Sequence, residues 1–372
     1  MPVNLSPVPT GRALTILREG WAAQARGDFT TAYMLHGKPG VGKTQIVETL
    51  AAETGAELID LRLTTIEPQD LRGLPYYDHA AAKTVWYRPE DLPDDPDQPT
   101  ILFLDELTSA APLIQPTVYG LLQERRVGRH RLPPTTFLVA AGNTTADGAV
   151  AYEMGTGLSD RLVHLLVAAE AQDWLENFAL PNGMHPAVTA FVQTRPDLLD
   201  TTDEALSRGD MIAATPRSWE RVSHILSSVE DQTIRRRLVA GTVGEAVAAE
   251  FSVIAEDIAA TVRATEMIGM SRAARLEYYP ETLHGLYALV HGLNGLLTAD
   301  TTKPVIETLA DLRKLDTLRP QAGFGRLPLG ELTTQGFEML ISKGLALELG
   351  PAFLDHPDYK AYAAERQALG LA

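Results

Sequence analysis

Residues 37–44 read Gly-Lys-Pro-Gly-Val-Gly-Lys-Thr, and the octet fits Gly-x-x-x-x-Gly-Lys-Thr at every position. The apolar run Ala32-Tyr33-Met34-Leu35 leads into it, and a helix-like run from Gln45 to Ala52 follows. A strand, a glycine loop and a helix start in that order make a cradle for phosphate. Gly37, Gly40 and Gly42 let backbone N–H groups turn inward, with Lys38, Pro39 and Val41 between them, and the helix N-terminus adds a partial positive charge. Lys43 is expected to reach the β- and γ-phosphates of a nucleotide, and the Thr44 hydroxyl to ligate Mg²⁺.

Working outward, Ile101-Leu102-Phe103-Leu104 is a buried-strand run that ends in Asp105-Glu106. Two carboxylates are too costly to leave in a core, so they are expected at the carboxyl end of the strand, where open α/β sheets bind ligands. Asp105 then holds Mg²⁺ through its water shell, and Glu106 polarises the attacking water. An ordinary strand-end turn is the plainer reading of the same pair.

Strand-like runs fall at 32–36, 57–61, 101–104, 136–141 and 162–167, with helical patterns between several of them. That alternation predicts an α/β fold with a mostly parallel sheet and helices on both faces. Past residue 170 helical periodicity takes over, as in Trp219, Val222, Ile225 and Leu226. The stretches Leu283–Leu297 and Val305–Leu315 read as amphipathic helices, and Leu318–Pro328 as a loop.

Composition limits the function classes. The chain has 372 residues, 45% hydrophobic and 22% charged, and no cysteine. Disulfides, thiolate catalysis and thiolate metal sites are therefore excluded. There is no apolar run long enough for a membrane span, and Met1-Pro2-Val3-Asn4 lacks a signal pattern, so a cytoplasmic location is expected. A net charge of −16 argues against non-specific nucleic-acid binding by the whole surface, while leaving room for a local basic patch. The nine histidines show no metal spacing; His284 and His291, seven apart, read as a pair on a helix surface.

On these motifs the chain resembles the MoxR-type AAA+ ATPases, of the group with an insertion in the second core helix, over about residues 8–260. Four further segments carry the resemblance. They are Asp70-Leu71-Arg72-Gly73 with Tyr76-Tyr77 and Thr84-Val85-Trp86-Tyr87, which reads as a hairpin insertion; Leu121 to Val127; Phe137 to Asn143; and Leu158-Ser159-Asp160-Arg161-Leu162 followed by Thr215-Pro216-Arg217-Ser218-Trp219. The chain departs from the family at Thr108, where the family often has Asn, and at Leu162, where it has Phe.

The resemblance implies a P-loop AAA+ core with a parallel five-stranded sheet over 1–168, its helix-2 insertion near 65–90. A helical lid over 169–260 and a helical C-terminal extension over 261–372, a possible docking region for a partner, follow. It implies that Asn143 is the first sensor, against an Asx turn that merely ends a strand. Arg217 is implied as the second sensor. Thr215 suits an N-cap and Pro216 the first helical position, so Arg217 falls in a first turn where the helix dipole disfavours a cation unless a polyanion is near. A solvated arginine is the alternative. Arg161 is implied as an arginine finger reaching a neighbour's site, against a local pair with Asp160 or another surface carboxylate. The cluster Arg125, Arg126, Arg129, His130 and Arg131 reads either as a hairpin facing an acidic partner or as a solvated hairpin.

The function implied is an ATPase with ATP and Mg²⁺ as cofactors. It would work as a homo-oligomeric, hexameric ring that remodels a protein client or a partner carrying a von Willebrand factor A domain. A DNA- or RNA-dependent AAA+ motor is the alternative, disfavoured by the acidic charge. A small-molecule kinase or nucleotide-gated binding module is a third class, disfavoured by Asn143, Arg161 and Arg217 standing in AAA+ order.

Overall fold

The five apolar runs form one parallel sheet. In the computed structural model, which describes residues 3–144, 156–261, 264–320 and 323–368, the strands are β1 (Ala32–His36), β2 (Glu57–Arg62), β5 (Thr100–Asp105), β8 (Thr136–Gly142) and β9 (Leu162–Leu166). Their order is β2-β5-β8-β1-β9, and each neighbouring pair is parallel. Two antiparallel hairpins lie outside the sheet: β3 (Pro75–Asp78) with β4 (Lys83–Trp86), and β6 (Arg126–Val127) with β7 (His130–Arg131).

The sheet is apolar on both faces because helices cover both. Tyr33, Leu35, Ile101, Phe103, Phe137 and Val139 pack with Ala13 and Leu17 of α1 (Thr10–Arg26) and with Val47 and Leu50 of α2 (Lys43–Thr54). The alternate residues Met34, Leu102, Leu104, Leu138 and Ala140 pack with Leu71 of α3 (Pro68–Arg72) and with Val118 and Leu121 of α4 (Gln115–Glu124). Strands with two buried faces read as continuous apolar runs, which is why their positions stand out in the sequence. Ahead of α1, Val8 pairs in parallel with Val167 beyond the end of β9, and Asp173 accepts from the Thr10 hydroxyl (2.6 Å) and the Gly11 N–H.

The chain divides into two compact units. The first comprises Met1–Asp173, Asp200–Met211 and Thr215–Arg217; the second comprises Trp174–Leu199, Ile212–Ala214 and Ser218–Ala372. The second unit is helical. Phe191, Trp219 and Phe251 meet with ring centroids 5.0–5.5 Å apart, and Trp219 Nε1 donates to Leu198 O (2.9 Å). A second core joins the helices Leu283–Leu296, Thr302–Leu312 and Leu329–Ala346 through Leu289, Leu293, Ile306, Leu309, Phe337 and Leu340.

The helix Leu283–Leu296 departs from the amphipathic expectation. Nine of its residues are buried, including every one from Ala288 to Asn294, so packing surrounds it instead of covering one stripe. His291 is correspondingly a core residue, 4% exposed, which corrects the reading of His284 and His291 as a surface pair. Among the described residues, the Leu318–Pro328 stretch begins at the end of the helix Leu315–Leu318 and holds a short turn at Phe324–Arg326.

Candidate functional site

The octet folds as the strand–loop–helix cradle the pattern requires. β1 ends at His36, and α2 begins at Lys43. Gly37, Gly40 and Gly42 have φ of 154°, 80° and 107°, a region that side-chain-bearing residues avoid. At Gly37 a Cβ would also sit 2.4 Å from Val167 O, so close backbone packing demands glycine there. Val41 is buried, and Thr44 is half-buried in the first turn of α2.

Lys43 bridges the loop to the sheet. Its Nζ donates to Gly37 O (2.6 Å), Lys38 O (3.1 Å) and Asn143 Oδ1 (2.9 Å). Asn143 follows directly on β8, the neighbour of β1, so strand order alone brings these two residues together across 100 positions. Lys38 pairs with Asp203 (2.8 Å) and lies 3.7 Å from Asp200.

Thr108, a position where the chain departs from the family, is a component that motif reading missed. Its hydroxyl donates to the Asn143 backbone carbonyl at 2.8 Å. It is 7% exposed, and a Cβ on Gly142 would sit 2.5 Å from its Oγ1. Thr108 therefore fixes the height at which the Asn143 chain leaves β8. Nothing in the local sequence announces this, because the partners are 35 residues apart.

Asp105 and Glu106 lie at the carboxyl end of β5, as their placement after an apolar run predicts. Asp105 is 8% exposed, and its Oδ1 accepts from the Glu106 N–H (2.8 Å). Glu106 has φ 58°, an uncommon left-handed conformation for a non-glycine residue, which turns the chain as it leaves the sheet. Its carboxylate accepts from the Thr64 hydroxyl, and Arg62 Nε lies 3.9 Å from it. The same Arg62 guanidinium lies 4.0 Å from Asp105. Register explains this, since β2 pairs with β5 and places Arg62 opposite Asp105. Arg62 and Thr64 are the two further residues that sequence reading did not single out.

Arg217 lies in the first turn of the helix Pro216–Ser228. Its backbone N–H donates to Gly40 O (3.3 Å), and a Cβ on Gly40 would meet Thr215 Oγ1 at 2.9 Å. The Thr-Pro-Arg segment is thus seated on the phosphate loop, with the Arg217 side chain exposed. Arg161 is elsewhere. It is exposed and its Nη1 donates to Gly157 O (2.5 Å); among the described residues it forms no ion pair, so the expected alternative pairing with Asp160 is not formed. Behind it, His164 on β9 bonds His36 at the end of β1 (2.8 Å) and the Ser159 carbonyl (2.8 Å).

The basic cluster is thinner than its composition suggests. Arg125 turns inward, donating to Pro133 O (3.0 Å) and Thr136 O (2.5 Å), and burial lowers its pKa. Arg126, Arg129 and Arg131 remain exposed on the hairpin β6–β7, with Arg126 paired to Glu124 (2.6 Å).

Nucleotide and Mg²⁺ suit these groups. Inward-turned backbone, Lys43 and the α2 N-terminus offer positive potential for phosphate, and the Thr44 hydroxyl with the Asp105 carboxylate are the hard oxygen donors that Mg²⁺ takes.

Part of the chain is similar to known proteins. Residues 32–181 match the family model described as AAA domain (dynein-related subfamily). The ATPase family gene 2 protein homolog B of Mus musculus is 33% identical over 115 residues, spanning 31% of this chain and 13% of that protein. Its Bos taurus counterpart is 34% identical over 116 residues, 31% of this chain and 12% of that one. The chain therefore matches only about an eighth of the length of these relatives. Among solved structures, the RuvB Holliday junction branch migration motor of Thermotoga maritima is 18% identical with a TM-score of 0.35, over 81% of this chain and 87% of that one. Over residues 32–181 this chain is similar to the AAA domains of the dynein-related subfamily.

Proposed function

We propose that this chain is an ATP-hydrolysing remodelling ATPase of the MoxR type, acting in the cytoplasm as a hexameric ring on a protein partner, with a von Willebrand factor A domain as the partner class. The observation that carries the reading is the contact of Lys43 with Asn143 beside the phosphate loop (2.9 Å). It brings a cation for the phosphates and a neutral hydrogen-bonding group to one point at the carboxyl ends of adjacent strands. The seating of Thr215-Pro216-Arg217 on Gly40 supports it further, because a cation in a first helical turn is favoured only when an anion is near.

In this scheme Lys43 leaves its loop carbonyls for the β- and γ-phosphates as ATP enters. Mg²⁺ would be held by Thr44 and Asp105 and would screen the phosphate charge. Glu106, released from Thr64, accepts a proton from the attacking water, while Asn143 orients that water or the γ-phosphate. Arg217 neutralises phosphate charge from the same chain, and the exposed Arg161 supplies the finger to the neighbouring subunit.

Glu106→Gln is expected to keep ATP binding and to lose about 10²- to 10⁴-fold in turnover. Lys43→Ala is expected to weaken ATP binding itself. Nucleotide titration and phosphate release measured side by side separate the two, and wild-type turnover by Glu106→Gln would sink the assignment of the carboxylate pair.

A further inference from the structure

The helical unit contains a pocket of about 420 Å³, lined by the start of the helix Pro186–Thr194, by Ala255 and Ala264, and by one face of Leu283–Leu296. Two of its lining side chains are polar, buried and without partners. His291 is 4% exposed, and among the described residues neither Nδ1 nor Nε2 has a hydrogen-bond partner. Asn294 is 5% exposed, and its Oδ1 has none either. Folded chains rarely leave buried polar atoms unbonded, since each one lowers stability.

These groups share one site. Positions i and i+3 lie on the same face of a helix, so His291 and Asn294 line the pocket together. Gly295, beside them, leaves open space, with nothing within 4 Å of a Cβ placed there. His185, also in the lining, uses its Nδ1 to accept from the Ala187 N–H (3.2 Å).

The lining sets the ligand's chemistry. Among the described residues of the lining none is Asp, Glu, Lys or Arg, so a charged ligand would lose its hydration without gaining a counter-charge from them. Burial pushes the His291 pKa down to about 4, so near neutral pH the ring offers one N–H donor and one nitrogen acceptor. Asn294 Oδ1 adds an acceptor. The volume is that of a small-molecule site.

We propose that this pocket binds an uncharged small molecule with an apolar body and an amide-like group, which donates to Asn294 Oδ1 and one ring nitrogen of His291 and accepts from the other. The site lies wholly within the helical unit and does not depend on the nucleotide reading.

Benzamide is the probe, with toluene lacking the polar group and benzoate carrying a charge in its place. Binding to the full chain is followed by saturation-transfer NMR and by the ¹⁵N shifts of the histidine rings. Benzamide is expected to bind saturably and about tenfold or more tighter than either control, the factor of one well-made hydrogen bond. His291→Leu is expected to abolish that preference while folding with an unchanged or higher Tm. Gly295→Leu, which puts a side chain into the open space and replaces a poor helix former, is expected to weaken binding as well, and it decides the matter if His291→Leu does not fold. Absence of saturable benzamide binding, toluene binding equally well, or unchanged benzamide binding in both variants would overturn the proposal.

Discussion

In the nucleotide unit, Lys43 touches three acceptors and Asn143 is held at both its side chain and its backbone carbonyl. In the helical unit, His291 is more deeply buried yet bonds nothing among the described residues. The first arrangement is a site whose polar groups hold one another and, on the function we propose, are displaced by phosphate. The second is a pocket in which two buried side chains, His291 and Asn294, carry polar atoms without a hydrogen-bond partner among the described residues. A second set in the helical unit shows that burial there does not preclude pairing. Arg275, 1% exposed, bonds Asp311 at 2.9 Å; Asp311, 3% exposed, also takes Arg272 at 2.5 Å; and the Tyr279 hydroxyl donates to Thr308 O at 2.6 Å. The Arg275–Asp311 pair serves the fold even though Arg275 Nε has no partner of its own among the described residues, whereas the unpartnered atoms of His291 and Asn294 are those assigned to the proposed pocket.

That distinction can be broken by mutation, and the largest effect is expected at Asp311. Asp311→Ala leaves the buried Arg275 guanidinium with only the more distant Glu307, at 3.8 Å, and should destabilise by about 3 kcal/mol, whereas replacing Arg275 and Asp311 by apolar residues of similar volume should recover most of the loss. Denaturant unfolding of the single and double variants measures both. Equal stability of Asp311→Ala and wild type would remove the contrast with His291.

Next is the pH response of His291. An unfolded histidine titrates near 6.5, and burial holds the folded ring's pKa at about 4. Between these values the unfolded chain binds the extra proton, so stability is complete above pH 6.5 and is lost as pH falls toward 4. The shift of about 2.5 units corresponds to about 3 kcal/mol. His291→Leu should be as stable as wild type or more so near neutrality, and should lose less on acidification by about that amount. Parallel acid dependences of Tm for the two proteins would contradict it.

The smallest effect sharpens the nucleotide side. Thr108→Val keeps the volume of a buried side chain and removes the hydroxyl that holds Asn143 O. Turnover is expected to fall about tenfold, the order of one hydrogen bond, with ATP affinity little changed and Thr108→Ser close to wild type. A loss of affinity with turnover intact would make Thr108 a structural residue only.

The sheet was legible because its inner strands β1, β5 and β8 have two buried faces, while the edge strand β2 shows as a shorter mixed run. The apolar runs marked all five strands to within one residue of each end, and the octet placed the phosphate loop between β1 and α2. What lay hidden were contacts set by strand order. Arg62 meets Asp105 only because β2 pairs with β5, and Thr108 meets Asn143 only because β8 lies beside β5. His291 was misjudged for a related reason. Spacing along a helix reveals a shared face, but whether that face is solvent or core depends on what packs there, which for His291 includes the start of the helix Pro186–Thr194, and no local pattern carries that.

The central claim is an ATP site completed by a neighbouring subunit, and mixed assemblies of two inactive variants test it most directly. Arg161→Ala subunits keep Glu106, and Glu106→Gln subunits keep the finger. Each alone should be nearly inactive, since loss of an arginine finger reduces the rate by about 10³-fold or more. Where an Arg161→Ala subunit holds ATP beside a Glu106→Gln neighbour, one site regains both groups, so phosphate release should recover in part and depend on the mixing ratio. No recovery in assemblies shown to contain both variants would contradict the account.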